Sequence, residues 1–168
     1  MSAEAVMEHV ACEFLAWVWY ESERTGGRMD LGAPLGVVDV WVDERLAFRD
    51  SADDRPRAIL TGENPSQTLE ARAALAGGKL LRELQLGIRR EERDYSVTLK
   101  GALLDFCGAK LPAGEAEEES LIYDRMFFYE ELQLVVSQLL KRFAETRTAE
   151  DWEQTTKPSI AEWIAGGS

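Results

Sequence analysis

The chain has 168 residues, with 31 acids against 19 Lys and Arg and a net charge of −12. That length allows one domain with its own core. That charge excludes a protein coating nucleic acid indiscriminately, because such affinity comes from neutralising phosphates. No apolar run approaches the roughly 20 residues that cross a bilayer. The acidic start, MSAEAVMEHVACEF, lacks a basic segment ahead of an apolar one, so no secretory signal is expected.

Residues 4–24 read as a helix, with Val6, Val10, Phe14, Trp17, Val18 and Tyr20 at three- and four-residue steps. Glu4, Glu8 and Glu13 fall towards its N-terminus, where the helix dipole favours acids. Trp17 and Trp19 cannot both enter one core from one helix face. One of them is expected to meet a second surface, either another layer of the fold or another subunit. Thr25-Gly26-Gly27 stops the helix, and Gly32 to Gly36 forms a loop. Leu35 to Val42 alternates, with Val38, Val40 and Val42 on one face and Val37, Asp39 and Trp41 on the other, which predicts a strand. Asp43-Glu44 reads as a turn and Arg45 to Arg49 as the returning strand of a hairpin. Ser51 to Pro56 is a polar loop, and Arg57 to Thr61 a third strand.

Asn64, Pro65 and Ser66 open a short helix with Leu69, Ala73, Leu75 and Ala76 as its apolar stripe. Gly77-Gly78 closes it. Strands follow at Lys79 to Arg90 and Tyr95 to Lys100 across a charged turn, Arg90 to Asp94, and Leu103 to Phe106 adds a short one. After the acidic run Glu115 to Glu119, apolar residues from Leu121 to Phe143 recur at helical spacing. A helix so apolar must cover a sheet or pair with another helix. Thr148 to Asp151 caps a last helix carrying Trp152, Ile160, Trp163 and Ile164, interrupted near Pro158 and followed by the tail Gly166 to Ser168. This order predicts an α+β fold: one domain over residues 1–168, with an antiparallel sheet of five to six strands. An N-terminal helix, a short middle helix and two C-terminal helices pack on that sheet.

Little in the chain points to catalysis. Neither GxGxxG nor GxxxxGK[ST] occurs in the required setting. His9 is the one histidine, inside an amphipathic helix, and Cys12 and Cys107 are separated among apolar neighbours, as buried free thiols of a reducing cytoplasm would be. Asp39, Asp43, Glu83 and Asp105 lie near strands without the convergence that a two-metal nuclease needs. The expectation is a protein that is not an enzyme and needs neither metal nor cofactor.

Charge is unevenly spread. Residues 1–54 balance at −8, residues 55–110 at +3 and residues 111–168 at −7. The cations of the middle, Lys79, Arg82, Arg89, Arg90, Arg93 and Lys100, are the candidate phosphate contacts. The alternative is that they neutralise acidic neighbours and keep a sheet edge from pairing. Strand alternation separates Arg82, on the side of Leu80 and Leu84, from Arg89, on the side of Leu81 and Gln85. Trp17, Trp19 and Trp41 are the candidate partner interface.

The run ACEFLAWVWYESE, then GENPSQTLEARAALAGGK, LLRELQLGIRREERDYSVTL and LDFCGAKLP, resembles the C-terminal half of the recombination-associated protein RdgC family from about Glu13 to Pro112. The likeness continues more loosely through FFYEELQLVVSQLLKRF. Members of that family bind double-stranded DNA without sequence preference and form ring-shaped dimers around it. The resemblance therefore implies a cytoplasmic, nucleoid-associated role in DNA recombination, with Lys79 at the matching glycine-lysine step. The family's N-terminal half has no counterpart here. Two readings stand at this point. One is an RdgC-like protein that binds double-stranded DNA directly or through a partner. The other is an acidic interaction or oligomerisation subunit, self-associating or docking another protein, with no DNA contact of its own.

Overall fold

The computed structural model describes residues 2–50, 56–114, 117–118 and 120–166. Most of the expected loop at Ser51 to Pro56, part of the Glu115 to Glu119 run and the end of the glycine tail lie outside the described residues. Helix α1 spans Ala3–Arg24 and opens with Ser2, whose side chain accepts from the Ala5 N–H. It ends where Gly26 (φ 63°) and Gly27 (φ 87°) take left-handed backbone, letting the Gly27 N–H return to the Ser22 carbonyl.

Six antiparallel strands follow: β1 (Arg28–Asp30), β2 (Val37–Arg49), β3 (Pro56–Thr61), β4 (Leu80–Arg90), β5 (Arg93–Lys100) and β6 (Asp105–Lys110). Their order is β1-β2-β4-β5-β6, with β3 also on β2. β2 is the backbone of the sheet. One of its edges runs along β4, while the other is shared by β1 at Val37 to Asp39 and β3 at Arg45 to Arg49. The fold is α+β with a six-stranded antiparallel sheet, as the element order predicts.

The hairpin expected at Asp43-Glu44 does not form. β2 runs straight through as 13 residues, because Val38, Val40, Val42, Leu46 and Phe48 keep the same inward parity and all are buried. The charged residues make a bulge instead: Asp43, Glu44 and Arg45 stand against Gln85 alone, between the Val42–Leu86 and Leu46–Leu84 pairs. The turn entering β2 lies earlier, at residues 31–36, after β1, a strand too short to leave an alternation. In the hairpin of β4 and β5, Arg90 pairs with Arg93, so Glu91 and Glu92 form a two-residue turn, both at positive φ (48° and 64°).

After a 3₁₀ turn at Pro65–Gln67, Thr68 caps α2 (Leu69–Ala76) by accepting from the Ala71 N–H. The apolar stripe expected on α2 shifts: Leu69 is exposed, and Ala71 and Ala74 face the core, where small side chains allow close approach. Helix α3 spans Leu121–Thr148. A π-helical turn at Trp152–Thr156 leads into α4 (Lys157–Ile164), with Pro158 in its first turn.

The core is one continuous cluster from the sheet, α1, α2, α3, α4 and Trp152. Within it α1 lies between two layers, touching β2 and β4 on one side and α3 and α4 on the other. That arrangement accommodates both tryptophans of α1. Trp17 packs against Phe143 of α3 with ring centroids 5.6 Å apart, and Trp19 meets the edge of Trp163 of α4 at 5.0 Å. Both are buried, so the second surface is the helical layer, and neither is available to a partner. Glu23 fastens this junction, accepting from the indole N–H groups of Trp19 and Trp163 at 2.8 Å each and from Arg72 of α2 at 2.6 Å.

Candidate functional site

The central cations do not form one patch. Arg82 lies 3.3 Å from Glu8 of α1, which also takes Arg49 at 2.6 Å. Arg90 and Arg93 reach Glu131 of α3 at 3.3 and 2.9 Å. Arg89 instead makes a two-pronged bond to its cross-strand neighbour Asp94, at 2.6 and 2.8 Å. Lys100 approaches its register partner Glu83 at 3.4 Å, where Arg45 also binds at 3.1 Å. Three of the six thus turn towards acids of the helices and two pair across strands. Lys79, just before β4, has no ion-pair partner among the described residues.

Glu131 sits at the tightest of these junctions. Arg93 donates to both of its oxygens at 2.9 Å, and the Tyr95 hydroxyl donates to one of them at 2.9 Å. Burial works to raise the Glu131 carboxyl, but the bonds from Arg93 and Tyr95 outweigh it and hold the group below its usual range. Its bond to Glu131, with a second that Arg93 donates to the Tyr95 hydroxyl, raises Arg93 above the ordinary guanidinium value. Burial, helped by the neighbouring carboxylate, pushes Tyr95 up to about 12. At Cys12 burial dominates and lifts the thiol to about 11, against the opposing charge of Arg49. These groups stay in one protonation state near neutrality, which suits a structural role.

Trp41 is only half-buried. It pairs across strands with Gly87, and a Cβ at Gly87 would run into the indole ring. The glycine is there to let the ring lie on the sheet. Around it are polar ties: Gln85 donates to Ser96 at 2.9 Å, and Ser96 to Asp43 at 3.2 Å. Asp43 and Glu83 are thereby committed to protein partners. Among the described residues no group of three or more His, Cys, Asp or Glu is placed to hold a metal ion. Among the described residues no helix is long and apolar enough to cross a membrane.

The surface that sequence reasoning missed is on α3. From Phe128 onward the buried residues Leu132, Val135, Val136, Leu139 and Phe143 follow one face. Ahead of them Ile122, Tyr123, Met126, Phe127 and Tyr129 are all exposed, from 38% (Tyr129) to 71% (Tyr123). The expectation that this whole apolar run covers the sheet therefore fails for its first two turns. Met126 and Tyr129 follow Ile122 at i+4 and i+7, and Phe127 follows Tyr123 at i+4, so two rows stand side by side. The signal was legible: apolar residues there point all round the helix, wider than one sheet-facing stripe. Tyr129 touches Phe106 of β6, and Arg93 lies over Phe127 at 5.9 Å, which ties the patch to the end of the sheet. No protein-family model, curated protein or solved structure matches this chain.

Proposed function

We propose that the chain is a non-enzymatic, acidic protein-interaction module that serves an RdgC-like role in DNA recombination through a protein partner. The observation that carries this reading is the contrast between the two candidate surfaces. Five of the six central cations are engaged by acids, whereas the start of α3 holds five large apolar side chains in water. Contiguous exposed aromatics at this density mark a contact surface. Phosphates attract only charge that is not already neutralised at close range, and the chain as a whole repels them.

Direct duplex binding is the second reading, favoured by Lys79, the central cation without an acid partner among the described residues. An electrophoretic shift assay with double-stranded DNA at low salt separates the two. The expected result is no shift by the chain alone at micromolar concentration. A salt-sensitive shift that Lys79→Glu abolishes overturns the proposal and establishes direct binding.

A further inference from the structure

We infer that the first two turns of α3 dock a basic amphipathic helix of a partner protein, an inference that rests on the interaction-module reading and names the chemistry of its partner. The apolar half of the argument is the pair of rows Ile122, Met126, Tyr129 and Tyr123, Phe127. Rows at this spacing on a helix accept the ridge of a second helix laid alongside. Phe106 covers part of Tyr129 and Arg93 part of Phe127, but all five keep 38–71% of their surface in water, and each large side chain left there forgoes a burial gain.

The charged half is the rim. Glu130 follows Met126 at i+4 and Phe127 at i+3, so it borders both rows. Glu117, Glu118 and Asp124 lie at the entry to the helix, and from Glu117 to Glu130 the one cation in the sequence is Arg125. On the far side Glu91, itself exposed, bonds Arg93, which lies over the Phe127 ring. Arg125, at i+3 from Ile122, also borders the first row, but the acids of the rim outnumber the cations. An apolar strip with a net acidic rim is complementary to an apolar helix face bordered by Lys and Arg. A second copy of this chain would bring the same acids and a further net charge of −12 against them, so self-docking is opposed where a basic helix is drawn in. Docking also neutralises the rim, which makes the contact weaken with salt while its apolar part persists.

The test uses the full chain and a fluorescent amphipathic peptide of Leu and Lys at helical spacing, read by anisotropy. A Leu and Glu peptide of the same pattern is the charge control. The double variant Met126→Ser, Phe127→Ser keeps charge unchanged and alters only positions more than half exposed, so it should still fold, with a small drop in melting temperature from the lost Arg93 and Phe128 contacts of Phe127. The expected result is saturable binding of the Leu/Lys peptide, about tenfold or more weaker in the double variant, weaker with salt, and absent for the Leu/Glu peptide. Equal binding by parent and double variant means adhesion by charge alone and overturns the inference. Equal binding of the two peptides removes the basic partner and overturns it too. If the parent is instead a dimer by light scattering and the double variant a monomer, the occupant is a second copy; the basic-helix inference falls while the interaction-module reading stands. No peptide binding and no dimer, together with a salt-sensitive DNA shift, overturns both.

Discussion

Glu131→Gln removes one charge from a nearly isosteric side chain and so isolates what that charge contributes. The carboxylate is 7% exposed and faces Arg93, Arg90 and the Tyr95 hydroxyl. Without it the two guanidinium groups keep Glu91, which is itself 61% exposed and able to screen little. Removing one partner of a buried ion pair costs about 3–5 kcal/mol. Arg93 is 28% exposed, so water takes up part of the loss and about 3 kcal/mol is the expected value, out of a total of about 5–15 kcal/mol. For a chain of this size that lowers the melting temperature by about 6–12 °C. The pH dependence has a definite sign. A carboxyl held low in the folded protein contributes stability fully above its ordinary value, near 4.5, and loses that contribution as pH falls through the folded-state value. Melts of parent and variant at neutral pH and below pH 4 check this: the gap between them should narrow on acidification. A variant that melts within about 2 °C of the parent at neutral pH, or a gap independent of pH, refutes the assignment of Glu131 as a working anchor of α3.

Three further outcomes follow from the geometry. Gly87→Ala drives a methyl group into the Trp41 indole and should destabilise by about 1–3 kcal/mol in a denaturant melt, with Trp41→Ala in the same chain recovering part of that loss. Glu92→Gly relieves one left-handed residue in the β4–β5 turn and should stabilise by about 1 kcal/mol in the same melt; an unchanged midpoint contradicts the strain. A thiol reagent at pH 8 should label Cys107 in the native protein and reach Cys12 only on unfolding, because Cys12 is buried and its thiol is raised to about 11.

What could be read from the chain and what could not divides along physical lines. The strands came through where alternation and a turn agree, as in β4 and β5. β2 was divided wrongly because Asp43-Glu44 carries the composition of a turn, while the parity that continues from Val42 to Leu46 carries the fold. Parity was the better guide. The second surface expected for the tryptophans of α1 is a layer of the fold itself, since α3 covers Trp17 and α4 covers Trp19; what the sequence left open was whether that surface belonged to the fold or to a partner. The division of the cations between strand faces was legible in the alternation of β4. Their individual partners were not, since Glu8 and Glu131 are distant in sequence and only packing brings them to Arg82 and Arg93. On α3 the apolar residues were counted as one face although their spacing already spread them around the helix.

The Glu23 junction has a bearing on how the chain assembles. This one carboxylate joins α1 to α2 and α4, and its bond to Trp163 spans 140 residues of sequence. Contacts so distant close slowly and only after the intervening chain has ordered. During synthesis, α1 emerges with Trp19 uncovered and waits until Trp163, 140 residues after Glu23, is made to cover it. Until then α1 is a tryptophan-rich amphipathic helix missing its outer layer, the kind of surface on which folding chains aggregate or are held by chaperones. The protein therefore completes its core late, and the same carboxylate that marks the final docking of α4 marks the end of that vulnerable interval.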